Sequence, residues 1–274
     1  MLAKLLKHDF AALSRILVPV HLAVLAVGAA ALACFDFARM VDEGSAAGTL
    51  ESLTVLGFTS GGICTLALGA APIATFAVVV RRWYANLFTD EGYLTLTLPA
   101  KAGAHVASKT IAGFVWMVID LAVLLALFIG VTAVLSGDLT AVYKGYFEGT
   151  LLDVLGSWRR LVLQTASGLA QLLAVVLLAY ASFSLGAAVA SRHRVAAGVG
   201  IFVGVSWAIG LVSGLVSAAG LYLAFRNPYA SALSFPPPTV ALVTSVAGIV
   251  FWLAVAAGLY ALCVYLLKNK VDLP

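Results

Sequence analysis

The chain has 274 residues, 63% of them hydrophobic and only 10% charged, with a mean hydropathy of +1.08. A soluble domain carries about 25% charged residues, and surface-to-volume scaling bars so apolar a chain of this size from having a water-facing surface, so a soluble domain is excluded. The expected class is an all-α integral membrane protein with several spans; its net charge of +4 and pI near 9.0 fit basic cytoplasmic loops, and nucleic acid is not an expected partner.

Residues 1–15 (MLAKLLKHDFAALSR) put Leu2, Leu5, Leu6, Phe10 and Leu13 at helical spacing, with Lys4, Lys7, His8 and Arg15 mostly elsewhere on the wheel. This reads as an interfacial helix on an anionic leaflet, or as the solvated start of the first span. The apolar run from about Ile16 to Phe35 is longer than a signal-peptide core, and Ala31-Leu32-Ala33-Cys34 has Ala where a lipoprotein cleavage box has Leu, so the run is taken as an uncleaved first span. Pro19 kinks or starts that helix, and His21 reads as a packed, satisfied side chain. The following loop to Ser60 holds Asp36, Asp42, Glu43 and Glu51 against Arg39.

Span two begins at Leu53 or Gly61 and ends near Val80, with Pro72 inside it; Gly57 and Gly61 form a GxxxG pair that permits close helix approach. Span three is expected over Thr110–Leu135 and span four over about Leu161–Ala190. After the short basic turn Arg192-His193-Arg194, span five runs to about Val216. Gly200xxxGly204 and Gly210xxxGly214 predict tight packing there. Asn227-Pro228 and Pro236 to Pro238 break the apolar stretch 217–239, which fits an outer re-entrant or interfacial segment. Span six is expected over Val240–Leu267.

Six spans put both termini on one side. With the termini inside, that side holds Lys4, Lys7, Arg15, Arg81, Arg82, Lys101, Lys109, Arg192, Arg194, Lys268 and Lys270, 11 cations against 5 on the other. The positive-inside rule therefore predicts cytoplasmic termini, with residues 81–109 cytoplasmic as well. No hydrophilic domain interrupts residues 1–274, which read as a single membrane domain.

Cys34, Cys64 and Cys263 lack metal-ligand spacing and read as small core residues, a Cys34–Cys64 disulfide being the alternative. His8, His21, His105 and His193 are scattered, no HExxH is present, and the stretch from Gly103 to Thr110 has Ser108 where a phosphate loop needs its second glycine. No catalytic residue, metal site or cofactor is therefore assigned to this chain. Asp120 is the carboxylate inside a span. It follows Lys109 by about 16 Å of helix at 1.5 Å per residue, near mid-bilayer, where an ionisable group is a functional candidate by default. It could meet a cationic substrate, pair with a partner's cation, stay protonated against hydroxyls of span two or four, or fix helix register as a hydrogen-bonded structural group. Arg192 and Arg194 read as a topology determinant or a secondary docking site.

The segment Arg81–Lys109 is the richest in polar groups. Asp90-Glu91-Gly92-Tyr93-Leu94 leads through Thr95-Leu96-Thr97-Leu98-Pro99 and Lys101 to a second helix start near Ala102. Apolar and aromatic side chains rimmed by charge mark a protein contact, or else lie on the bilayer surface or under the spans. At Glu91 to Pro99 followed by Ser108-Lys109, the chain resembles the permease subunits of bacterial ATP-binding-cassette exporters. The resemblance is strongest to type-two export permeases encoded apart from their ATPase, including those for lantibiotic and peptide-antibiotic export or immunity. One difference is Ala100-Lys101, where many relatives carry a polar residue and Arg.

The resemblance implies six spans, an N-terminal elbow helix at residues 1–15, outer re-entrant helices at 217–239, and a cytoplasmic coupling helix between spans two and three. It implies that Asp90, Glu91, Gly92, Tyr93, Leu94, Leu98, Pro99, Lys101 and Lys109 meet a separate ATPase chain that holds ATP and Mg. It further implies a second permease subunit, the same or different, in a bacterial cell membrane. The expected function is export of a lipid-associated or amphipathic substrate, a peptide being one candidate. The alternatives are a non-transporting scaffold, sensor or immunity subunit, and an intramembrane enzyme built on Asp120.

Overall fold

The computed structural model describes residues 2–44, 51–89, 92, 100–136, 158–190, 192–225 and 238–269. They form the helices α1 (Leu2–Gly44), α2 (Glu51–Leu68), α3 (Ala71–Phe88), α4 (Ala102–Ser136), α5 (Trp158–Val189), α6 (Arg194–Phe225) and α7 (Pro238–Asn269), with no strand among the described residues. Among the described residues six segments are long and apolar enough to cross a bilayer, α2 and α3 together supplying the second. Helices satisfy every backbone group internally, which hydrocarbon demands, and the chain is an all-α, multi-pass integral membrane protein.

Helix α1 is continuous for 43 residues through Arg15 and Pro19, so residues 2–15 are not set off from the first span by a break. Its buried positions Leu13, Leu17, His21, Val24, Ala31, Phe35 and Ala38 recur every three or four residues and form one face. The second span is broken. Gly69 and Ala70 turn the chain, their N–H groups donating to Leu66 and Ala67 carbonyls at 3.1 Å each. Pro72 explains the break: it has no N–H, and its ring would strike the carbonyl of Leu68 in a continuous helix. It sits instead in the first turn of α3, where no donor is needed.

Helix α3 continues to Phe88 and α4 opens at Ala102, so residues 81–88 and 102–109 extend the spans as helix. Asp90, Glu91, Tyr93, Leu94, Leu98 and Pro99 lie outside the described residues. Helix α6 runs unbroken to Phe225, so residues 217–225 continue span five; residues 226–237 of the expected re-entrant stretch lie outside the described residues, and α7 begins at Pro238.

The contacts divide the chain into two compact units, one of residues 10–79 and 115–156, the other of residues 1–9, 80–114 and 157–274. In the first, small residues let α1 approach its neighbours. A side chain at Gly57 would meet Ala38 and the Cys34 carbonyl, one at Gly61 would meet Phe35, and one at Gly28 would meet Leu127 of α4. Val24, Leu68 and Ala71 are the buried centre of that contact, with Val123, Leu124 and Leu127 packed around them. Cys34, Cys64 and Cys263 are free thiols.

In the second unit α5 is central and packs on both α6 and α7. The glycines expected to make α6 tight do not do so among the described residues: none of their atoms lies within 4 Å of where a side chain would begin on Gly200, Gly204, Gly210 or Gly214. GxxxG spacing permits close approach but does not supply a partner. The close approach falls at Gly186 and Gly198 instead, where a Cβ on Gly186 would lie 2.5 Å from the Gly198 nitrogen and 2.9 Å from the Arg194 carbonyl. Those are backbone atoms and cannot swing aside. Gly186→Val is therefore expected to cost about 1–3 kcal/mol by overpacking, whereas Gly200→Ala is expected to leave stability unchanged or slightly raised. Unfolding midpoints of the two variants in detergent check this, and equal midpoints would refute the α5–α6 contact.

Candidate functional site

Two polar constellations are built into the apolar helices, one in each unit. In the second unit Asp9, near the start of α1, meets the opening turns of α4. The Lys109 ammonium is 2.8 Å from one oxygen of the Asp9 carboxylate, and the Ser108 hydroxyl donates to the other. The two charged side chains are 14% and 6% exposed, so this is a buried, hydrogen-bonded ion pair. His105, one turn before Lys109, is buried in the same electrostatic neighbourhood.

The backbone of this turn is held as well. The Tyr180 hydroxyl of α5 donates to the Lys109 carbonyl at 3.2 Å, and the Tyr260 hydroxyl of α7 donates to the Gly103 carbonyl at 2.9 Å. Trp83 of α3 lies flat on Tyr180, with ring centroids 4.2 Å apart and planes 7° apart. Its indole N–H donates to the Ser184 hydroxyl at 3.1 Å, which in turn donates to the Tyr180 carbonyl. Trp83, Tyr180, Ser108 and Ser184 are all buried, and each polar atom in this chain of contacts has a partner, as a low-dielectric interior requires.

These bonds gather the beginning of α1, the end of α3, the beginning of α4 and the end of α5 at one end of the unit. Ser184 lies five residues before the end of α5 at Val189, and the basic turn follows directly, so it shares that end. Arg192 is exposed there and Arg194 half-buried; Lys101 is exposed and Gly92 buried. Lys109, grouped by its sequence position with the docking residues, is not on the surface. Its charge is matched internally by Asp9, which leaves Lys101 as the exposed cation of that group. Asp9, Tyr180 and Trp83 were not singled out from the sequence. The legible signal was Asp9 itself: it is the acid among the cations of residues 2–15, and it falls four residues from both Leu5 and Leu13, on the apolar face.

In the first unit Asp120 lies midway along α4 with its side chain buried. His21 of α1 faces it, with Nε2 3.5 Å from Oδ1. The other imidazole nitrogen, Nδ1, is 2.8 Å from the Leu17 carbonyl, and the ring tilts against Trp116 at 5.4 Å between centroids. Thr75, one turn beyond the Pro72 break, lies beside the same carboxylate without the alignment of a full hydrogen bond. His21 is thus packed, as the sequence reading had it, but satisfied on one nitrogen only. Imidazole, carboxylate and hydroxyl do not form a nucleophilic relay here. Such a relay needs the carboxylate on one imidazole nitrogen and the hydroxyl on the other, and Nδ1 is already turned to the backbone.

Among the described residues no group of three or more His, Cys, Asp or Glu side chains has metal-site geometry. Comparison with family models, curated proteins and solved structures returned no match to this chain. The class is therefore defined by the helices themselves, that of a helical multi-pass membrane protein with six membrane-crossing segments among the described residues and buried polar clusters between them.

Removing one member of a buried pair strands the other charge, at about 3–5 kcal/mol. Lys109→Met is expected to lower stability by that amount, and the double variant Asp9→Leu/Lys109→Met to recover most of it. Equilibrium unfolding of the single and double variants in mixed micelles measures the coupling. Additive losses would show that the pair does not interact.

Proposed function

We propose that the chain is the permease subunit of an ATP-binding-cassette exporter, driven by a separate ATPase chain that binds ATP and Mg. The observation that carries this reading is the sequence Glu91-Gly92-Tyr93-Leu94-Thr95-Leu96-Thr97-Leu98-Pro99, with Lys101, between the second and third of six spans. In the permeases it resembles, this stretch is the helix that seats in the ATPase. Here it joins the ends of α3 and α4, both anchored by buried polar bonds around Trp83 and Lys109. A push on the connection would reach α3 and α4 directly, through helix ends that cannot slip without breaking those bonds.

The gathering of the α1 start, the α3–α4 connection and the Arg192–Arg194 turn at one end of the unit supports a shared cytoplasmic face in a bacterial cell membrane. The 11-to-5 division of cations supports the same orientation. A second permease subunit, the same or different, completes the assembly; the uncovered face of α6, with its four open glycines, is the surface we assign to it. Transport then follows as a population shift. ATP binding by the partner favours one arrangement of the spans, to the extent that its contacts at residues 86–105 differ between arrangements. The substrate class is lipid-associated or amphipathic, a peptide among the candidates.

Affinity purification of the tagged chain from gently solubilised native membranes, with mass identification of partners, tests the reading. An ATP-binding-cassette ATPase is expected to co-purify and to be lost with Tyr93→Ala or Glu91→Lys at unchanged expression. Recovery of no ATPase in any detergent would remove it, and substrate-stimulated ATPase activity in liposomes separates a transporter from a scaffold that only docks.

A further inference from the structure

We infer that Gln164, Thr165, Gly168 and Gln171 of α5 line a water-filled vestibule that enters the membrane from the end of the span opposite the basic turn. The inference is independent of the exporter reading and rests on a contrast between surfaces. From residue 163 to residue 187 the exposed positions of α5 are Gln164, Thr165, Gly168 and Gln171, three polar side chains and a glycine. The other spans of the same unit look outward through Val199, Val203 and Leu211 on α6 and through Val246, Val250 and Leu253 on α7. Offsets of one, four and seven residues put the four α5 positions on one face of the helix.

Depth decides what that face meets. Val189, 74% exposed, closes α5 just before the basic turn and marks one limit of the apolar layer. Gln171 is about 27 Å of helix from it, and Gln164 about 38 Å. The hydrocarbon layer is about 30 Å thick. Gln164 and Thr165 therefore stand at the far surface, where any polar group is wet, whereas Gln171 stands inside the layer. A tilt of the helix carries all of them deeper.

An amide moved from water into hydrocarbon without a hydrogen-bond partner costs about 2–7 kcal/mol. Polar side chains at that depth accordingly face protein or a water-filled cavity, not lipid. A Cβ on Gly168 would meet nothing within 4 Å among the described residues, so the polar face runs open from Gln164 inward to Gln171. Water entering at the surface reaches Gln171 along it. Helix α7 borders the face, where a side chain on Gly248 would meet the Ser167 hydroxyl at 2.9 Å. The lining is uncharged, and its amides and hydroxyl both donate and accept, which suits water and neutral groups such as a peptide amide.

The test is the reaction of single cysteines with a positively charged, membrane-impermeant methanethiosulfonate. The protein is held in lipid nanodiscs, where both faces of the bilayer are open to the reagent. Site-resolved mass spectrometry lets the native cysteines stay in place. Gln171→Cys is compared with Val250→Cys, which lies about 29 Å of helix from the end of α7 at Asn269, a similar depth on an apolar face. Thiols react as thiolates, which form in water and not in apolar surroundings. Gln171→Cys is expected to react at least about tenfold faster than Val250→Cys, at a rate close to that of Gln164→Cys. Equal rates for Gln171→Cys and Val250→Cys would overturn the proposal and assign the face to lipid. An unreactive Gln171→Cys that oxidises to a cross-linked dimer would overturn it too, in favour of a second copy. Should Gln171→Cys fail to fold, Gln171→Leu decides. An unchanged thermal midpoint in nanodiscs supports a hydrated face, and a raised one overturns it, because leucine is favoured where lipid is the surroundings.

Discussion

A lysine closed away from water must take its counter-charge with it. Lys109 does so with Asp9, and the geometry of the second unit follows from that requirement. The carboxylate accepts from the Lys109 ammonium and the Ser108 hydroxyl together, which fixes the opening turns of α4 against residues 2–9 of α1. The carbonyl of the same lysine takes the Tyr180 hydroxyl, Tyr180 takes the face of Trp83, and Trp83 reaches Ser184. Each contact satisfies a group that the previous one buried. A buried ion pair adds little net stability over an apolar pair of the same shape; its effect here is to allow one register among helices whose apolar surfaces would tolerate several.

The first unit solves a different problem. Hydrocarbon tails are as apolar as leucine, so burial alone does not draw transmembrane helices together, and close packing must do more. Gly28, Gly57 and Gly61 provide it by admitting Leu127, Ala38 and Phe35 to the helix surfaces. Pro72 then forces a turn at Gly69-Ala70 and restarts the helix so that Thr75 comes beside Asp120. The break that a proline imposes on the backbone and the polar cluster it helps assemble are one feature.

The two clusters have different characters. In the Asp9–Lys109 cluster the carboxylate, the ammonium, the Ser108 hydroxyl and the Tyr180 hydroxyl are all paired, which on the proposed reading suits rigid transmission from a docking segment to the spans. In the His21–Asp120 cluster, Nε2 and the carboxylate oxygens have no hydrogen-bond partner among the described residues.

Much of this chain was legible without coordinates, and for a definite reason. Span number, the all-helical class and the helix start near Ala102 follow from local hydropathy, because hydrocarbon forbids any backbone arrangement but a helix for such runs. Pro72 was placed inside span two with no break assigned to it; that it splits the span into two helices emerged only in the fold. Partnership could not be read. Lys109 looked like a surface cation because it borders a span, and it is buried because Asp9, 100 residues away in sequence, arrives beside it. His21 and Asp120 each looked like isolated polar residues, and only helix packing brought them to 3.5 Å. The glycines of α6 carried the spacing for tight packing while Gly186 and Gly198 made the contact. Sequence determines what each segment must be in a membrane; which side chains meet depends on helix rotation and register, which are set by all the contacts at once.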